Sequence, residues 1–437
     1  MTDPAARLVF PPSKHPYVGI EREFNFVAFA TGEVLPIAPE VIAEYKRRHE
    51  GDPVAQNKVA KEIHKICIEV ISKIGETVAD AVDDTETTLA EVREIAAQYG
   101  ATLLSIGNHP SVRWEDLELS DDPRMHQLRA QHGITQSQWT SLGTHVHVGM
   151  PGPEEVILVD NITRQYLPHM LAMTASSPFS RGRDTHVQSS RELQLRQIAM
   201  SGLMPPVRTW EEYERVVAIT KGAGWINILA DLHPLSRKSV HGTLEYRIPE
   251  AVPTMAEVSA LAAFAQCVAV AVITGELAKP APLDMLILNS VEAVRERGYD
   301  AKIFVESRVT TVREHMTELL PRLKGIAEHL NCSEELASIP MLMNEWGNPA
   351  QRQRDLVASL PPGDRLVEYA NGERSWIDPR TVQLVQASVI ETLTNSPISH
   401  IDQLTQAMQQ QAAQLSLRGL PVARPVPAPS EQRDALS

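Results

Sequence analysis

Regular structure begins with a two-residue alternation. Between Val18 and Val27, Ile20, Phe24 and Phe26 fall on one parity and Glu21 and Glu23 on the other. This is the period of a β-strand, whose successive side chains point to opposite faces. Arg22 shares the apolar parity. The alternation returns in Lys65–Ile71, where Cys67 and Glu69 oppose Ile66, Ile68 and Val70. It returns in Thr144–Met150, where His145 and His147 oppose Val146, Val148 and Met150. In Gly242–Pro249, Thr243, Glu245 and Arg247 oppose Leu244, Tyr246 and Ile248. Thr102–Ile106 and Trp225–Ala230 are further strand-like runs, the second leading into a turn at Asp231–Pro234. Helical spacing marks Thr77–Tyr99, 123–132, Pro153–Ser177 and Thr209–Thr220. From Thr254 the pattern predicts an almost wholly helical chain, with helices over 255–279, 283–297, 309–330, 333–345, 349–359 and 379–414. Residues 1–16 form an irregular lead-in and 38–64 a polar, partly helical excursion from the sheet. Residues 17–415 read as a single domain, and 416–437 as a Pro-rich, disordered tail.

Four strands thus carry polar faces of one kind. Taken singly, each has a plain explanation: a solvated face, a structural histidine, a same-face ion pair. Together they hold Glu21, Glu23, Glu69, His145, His147, Glu245 and Arg247, whereas solvated faces are expected to be richer in lysine, serine and threonine. An α+β fold accounts for all four, with helices on the apolar side of a sheet and a carboxylate-rich cavity on the other. Carboxylates side by side on strands repel, and divalent cations with oxygen ligands relieve the repulsion. Arginines stand nearby in sequence: Arg183 and Arg191 around a Ser177–Thr185 turn, and Arg352 and Arg354 at a helix start. Guanidinium forks suit carboxylate and phosphate oxygens. A nucleotide triphosphate carried with Mg2+ is the ligand that such a cavity fits.

Charge and composition narrow the class. The 41 basic and 55 acidic residues leave a net charge of −14, which argues against a general nucleic-acid or membrane surface. Three cysteines far apart form no CxxC pair and suit a reducing cytoplasm. The start has no secretory pattern. The uncharged run Val258–Gly275 reads as a buried helix rather than a membrane span. No phosphate-binding glycine loop of the Gly-x4-Gly-Lys-Ser/Thr type, dinucleotide fingerprint or kinase catalytic loop is present. Metals and arginines would therefore hold the nucleotide.

Seven short motifs add a resemblance. Gly19-Ile-Glu-Arg-Glu-Phe, Ile68-Glu-Val-Ile, Gly107-Asn-His-Pro, Gly143-Thr-His-Val-His-Val-Gly, Ser177-Pro-Phe-x-x-Gly-Arg-Asp-Thr, Gly242-Thr-Leu-Glu-Tyr-Arg and Gly347-x-x-Ala-x-Arg-Gln-Arg occur in this order. The stretch from about 17 to 358 resembles the carboxylate–amine ligases related to glutamate–cysteine ligase, type 2. The resemblance implies a glutamine-synthetase-like fold, with a curved antiparallel sheet around the active site and flanking helices. It implies ATP-dependent amide formation, in which a small amino-acid carboxylate becomes an acyl phosphate and an amine displaces phosphate. The bond would be γ-glutamyl in the closest analogy. It implies Glu21, Glu23, Glu69, Glu245 and His147 as ligands of two or more Mg2+ (or Mn2+) ions, with His145 a ligand or phosphate contact. Arg247 and Glu69 would serve catalysis, and Arg183, Arg191, Arg352 and Arg354 would bind substrate or phosphate. The chain departs from the family at Arg22, where an acidic residue is more usual, at His233, where an arginine is expected, and at His186-Val187. These departures bear on the substrate more than on the metals. A guanidino-kinase-type phosphotransferase and a catalytically silent nucleotide- or metal-binding protein are the alternatives. Helix faces in 255–414 could pack within one chain or across a homodimer.

Overall fold

The computed structural model describes residues 8–29, 31–132, 139–198, 201–222, 229–235, 242–360, 365–368, 374–377, 380–395 and five positions between 403 and 410. Most of the predicted strand Trp225–Ala230 and all of the Pro-rich tail 416–437 lie outside them. Seven strands form one sheet: β1 (Val18–Ala28), β2 (Val59–Lys61), β3 (Cys67–Ile71), β4 (Ala101–Leu104), β5 (Thr144–Gly149), β6 (Leu232–Leu235) and β7 (Thr243–Tyr246). Their order is β6-β7-β5-β1-β3-β2, with β4 pairing the far end of β1. Every pairing in this sheet is antiparallel. β1 is its centre, bound to β3, β4 and β5.

The alternation decides which face is covered. Ile20, Phe24, Phe26, Ile68, Val70, Val146, Val148, Leu244 and Tyr246 are all fully buried. Pro153–Thr163 packs against β6 and β7, and two longer helices contact the rest of this face, α1 (Val78–Ala97) against β1, β3 and β4 and α2 (Met255–Ile273) against β1 and β5. Each begins with a capping box, Thr77 with Asp80 and Thr254 with Glu257, which satisfies donors that a helix start otherwise leaves orphaned. The α2 helix is the predicted uncharged run. Among the described residues it alone is long and apolar enough to cross a membrane, yet 78% of its apolar window is buried within the molecule. Arg22 also points to this face and is fully buried. Its guanidinium donates to Val252 O (2.7 Å) and Ser105 Oγ (3.2 Å), contacts Met255 Sδ (2.8 Å) and lies over the Phe24 ring. Burial pulls its pKa down to about 9. The strand pleat thus keeps this departure from the family away from the carboxylates.

Several expectations are corrected. The 38–64 excursion does not leave the sheet entirely, because its last residues form β2 and pair with β3. The predicted helix Pro153–Ser177 divides into Pro153–Thr163 and Leu167–Thr174, joined by a 3-10 turn at Arg164–Tyr166. Pro168 supplies the break, since its ring removes a donor and favours the first turn of a helix. Asp231–Pro234 is not a turn, for Leu232–Leu235 is the edge strand β6, where a proline costs no ladder bond. The C-terminal half is not wholly helical. Hairpins pair Lys302–Val305 with Arg308–Thr311 and Arg365–Glu368 with Arg374–Ile377.

Candidate active site

Antiparallel register places the polar side chains in rows. Glu21 stands opposite His145 across β1 and β5, and His147 opposite Glu245 across β5 and β7. Glu23 faces Glu69 across β1 and β3, and His233 faces Glu245 at the β6 edge. Directly opposed residues share a face at close range. Glu21 consequently lies 3.3 Å from His145 Nδ1 and 3.2 Å from His147 Nε2. Glu245 Oε1 lies 3.9 Å from His145 Nδ1 and 4.0 Å from His147 Nε2, and its Oε2 is 3.4 Å from His233. Arg247, just past the end of β7 and two residues beyond Glu245, reaches back to Glu245 Oε1 at 2.5 Å. Glu23 accepts a 2.6 Å hydrogen bond from the Gly143 amide.

Three groupings bring ligand atoms within 4.8 Å of one another: Glu21–His147–Glu245, Glu21–Glu69–His145 and Glu23–Glu62–Glu69. Two ionised carboxylates about 4 Å apart repel by about 4 kcal/mol at an effective dielectric near 20. All these groups therefore cannot ionise together without a cation. Burial opposes ionisation of Glu21, but His147 and His145 outweigh it and hold the carboxyl well below the usual range. Burial is likewise overcome at Glu245, which Arg247, His147 and His233 hold at about 2. The reverse occurs on the β3 side. Burial, then Glu21, Glu62 and Glu23, push Glu69 well above the usual range. Burial and Glu23 push Glu62 up to about 8. His147 is raised, because Glu21 and Glu245 outweigh its burial. Beyond their approach to the Glu21 and Glu23 carboxylates, the buried Nε2 atoms of His145 and His147 have no hydrogen-bond partner. Orphaned imidazole nitrogens among carboxylate oxygens are a donor set that suits a hard or borderline divalent cation.

Of this face, Glu62 was not singled out from sequence, and His233 was noted only as a departure from the family, not as a member of the cluster. Glu62 lies just past the three-residue β2, too short a strand to show a period. His233 lies on β6, where Pro234 argued for a turn. The predicted arginines divide. Arg247 is in the site. Arg191 is buried beside it, donating to Ile248 O (3.0 Å) and Arg247 O (3.1 Å). Its fork is thus occupied by the main chain rather than open to a substrate. Arg352 is not available to a substrate either: it is buried between Glu257 (2.9 Å) and Glu391 (3.0 Å). Arg354 donates to Asp184 (2.7 Å) and Val187 O (2.8 Å), and Arg183 is exposed on the short strand Arg183–Asp184.

An antiparallel sheet backed by helices, with carboxylates, imidazoles and a guanidinium on its other face, is the arrangement expected of a glutamine-synthetase-like fold. The protein is an ATP-dependent carbon–nitrogen ligase. It belongs to glutamate–cysteine ligase family 2, whose model matches residues 17–374. A relative from Mycobacterium tuberculosis H37Rv, provisionally named glutamate–cysteine ligase 2, is 33% identical over 374 residues, 82% of this chain and 95% of the relative. One from Mycolicibacterium vanbaalenii, provisionally named glutamate–cysteine ligase 2-1, is 34% identical over 394 residues, 87% and 97% of the two chains. Among solved structures, the Francisella tularensis glutamate–cysteine ligase in complex with AMP superposes with a TM-score of 0.57 at 13% identity, covering 95% of this chain and 97% of that one. A bifunctional glutathione synthetase from Pasteurella multocida gives 0.56 at 14% identity, covering 86% and 53%. These two likenesses concern the fold.

Proposed function

We propose that this ligase activates a small amino-acid carboxylate with ATP, as an acyl phosphate, and joins it to an amine with release of phosphate. The observation that carries this reading is the cluster of Glu21, Glu23, Glu62, Glu69, Glu245, His145 and His147 on one sheet face, with Arg247 among them. Mg2+ or Mn2+ held by these groups would neutralise the triphosphate. Among the described residues, Arg247 is the arginine paired directly with the cluster, and it serves the transferring phosphoryl group, where positioning and charge neutralisation supply most of the catalysis. The catalytic domain is residues 17–415. Glutamate and cysteine, the substrates in the relatives' names, head the panel of candidates. His233 lies against Glu245 where the family has an arginine, so other carboxylates and amines belong in the panel.

The test is release of ADP and phosphate at millimolar Mg2+ with pairs of amino acids and amines, and the mass of the product. An amide product supports the ligase chemistry. A stable phosphorylated compound formed without an amine would replace it with phosphotransfer, and no turnover with any pair would remove it.

Cation binding should release protons. A carboxyl raised to about 8 carries its proton at pH 7, and a bound cation requires the carboxylate. The affinity for Mg2+ therefore rises as pH climbs from 6 towards and past about 8. Titration calorimetry at pH 7 in buffers of different ionisation enthalpy should give buffer-dependent heats. Identical heats in all buffers would contradict the assignment of Glu62 and Glu69 as ligands.

A further inference from the structure

Several sequence features have no place yet in the site: the Gly107–Pro110 turn, Ser176 and Ser177, the helix start at Ser189, and Glu250 beyond the end of β7. The structure gathers them around one side chain. Glu250 is fully buried. Its carboxylate accepts from Ser176 N (2.5 Å), Ser176 Oγ (3.0 Å), Ser177 Oγ (2.9 Å) and Ser189 Oγ. Gly107 packs directly on it, so that a methyl group there would collide with Oε2, and the Gly107 amide donates to Ser176 Oγ (2.7 Å).

Two of these serines lead to the site. Ser177 Oγ also accepts from the Arg191 amide (3.1 Å), and Ser189 Oγ from the Glu192 amide (3.1 Å). They fix the start of helix α3 (Ser190–Leu195). Arg191 then reaches from that helix to the carbonyls of Arg247 and Ile248 and stands against Gly143, whose amide holds Glu23. A buried carboxylate is an expensive means of joining serines, since neutral groups would do so without its desolvation cost. Its charge has a use here. Arg191 is itself buried, it bonds only main-chain carbonyls, and Glu23 and Glu250 are the carboxylates whose charges favour its ionised form most.

We propose that Glu250 is a positioning residue for the ligase reaction: it sets the first turn of α3 and, through Arg191, the main chain that carries Arg247. The proposal rests on the role of Arg247 given above. It predicts that Glu250 governs the chemical step and leaves the cations largely alone, because no ligand of the three groupings bonds Glu250, its serines or the Arg191 side chain directly, and Glu23 is reached only through Gly143.

Glu250→Gln keeps the shape but turns an acceptor into an amide donor facing serine donors. The expected result is a fall in kcat of about 10²-fold, with Mg2+ affinity in calorimetry within about twofold of the unmodified protein. Arg191→Lys should produce a similar loss. The double variant should be little worse than the more damaged single one, because both act through one path. Glu250→Asp should recover part of the rate. A merely structural role would lower the melting temperature and the folded fraction, yet keep kcat per folded molecule within about threefold, and that result overturns the proposal. Multiplying losses in the double variant overturn it as well. Should Glu250→Gln not fold, Ser189→Ala removes one of the four donors. A reduced kcat at unchanged Mg2+ affinity upholds the proposal, and an unaltered kcat ends it. Absence of turnover in the unmodified protein would remove the ligase reading itself, and this proposal with it.

Discussion

Glu245→Gln should reduce ATP turnover by about 10³-fold, the scale seen when one preorganised charged or donor group is lost. Glu245 touches more of the site than any other side chain, with His147 and His145 on β5, His233 on β6 and Arg247 beside it. Against burial, Arg247, His147 and His233 hold its carboxyl at about 2, whereas burial and Glu23 push that of Glu62 up to about 8. Glu245 is thus the anion present at every working pH. The amide keeps the volume and removes the charge, so Mg2+ affinity and kcat should fall together. The fold should survive. Loss of the Arg247 partner is offset by relief of repulsion with Glu21, and Arg247 retains the attraction of Glu21 and Glu23. The melting temperature should move by no more than about 3 °C. Turnover within tenfold of the unmodified enzyme would show that Glu245 is not a ligand.

Gly143→Ala should be almost as damaging by a different route. A methyl there would sit 2.6 Å from His145 Nε2 and 2.7 Å from Arg191 Nη2. Neither can retreat cheaply. His145 is buried in the sheet and Arg191 is tied to two carbonyls. The strain must pass to the Gly143 backbone, which bonds Glu23 through both its amide and its carbonyl. A displacement of about 1 Å at a reacting group costs about 10²-fold in rate, and overpacking costs about 1–3 kcal/mol of stability. Gly325→Ala is the control. Its methyl meets nothing within 4 Å, and in a helix interior alanine should stabilise by about 0.5–1 kcal/mol with full activity. Equal activity of the two variants would show that the wall formed by His145 and Arg191 does not matter to the reaction.

What could be read from the sequence was whatever a period of two exposes. Glu21, Glu23, Glu69, His145, His147 and Glu245 each sit in a strand, with Arg247 just past the end of one, and register then brought them together. Glu62 follows a strand of three residues in a polar stretch, where alternation has no length in which to appear. The place of His233 on this face was hidden by the proline after it, because only the sheet as a whole shows that β6 is an edge. The arginines failed for another reason. Arg352 and Arg191 look alike in sequence, and whether a guanidinium meets a substrate, a carboxylate or a backbone carbonyl is settled by partners more than 35 residues away. The hairpin Lys302–Val305 with Arg308–Thr311 turns at Glu306 and Ser307, both at positive φ, and neither residue announces such a turn as Asn-Gly would.

The α2 helix has a consequence for how the chain is made. It leans on the sheet and on Pro153–Thr163 and Leu167–Thr174, which precede it, but also on Val312–His329 and Ser333–Met341, which follow it. A ribosome must add roughly 70 residues after Ile273 before the last of these exists. During that interval a segment apolar enough to suit a bilayer has part of its surface without a protein partner. Truncation after residue 300 should therefore yield a sticky fragment rather than a smaller enzyme, since the later helices complete the cover under the sheet that carries Glu21 and Glu23.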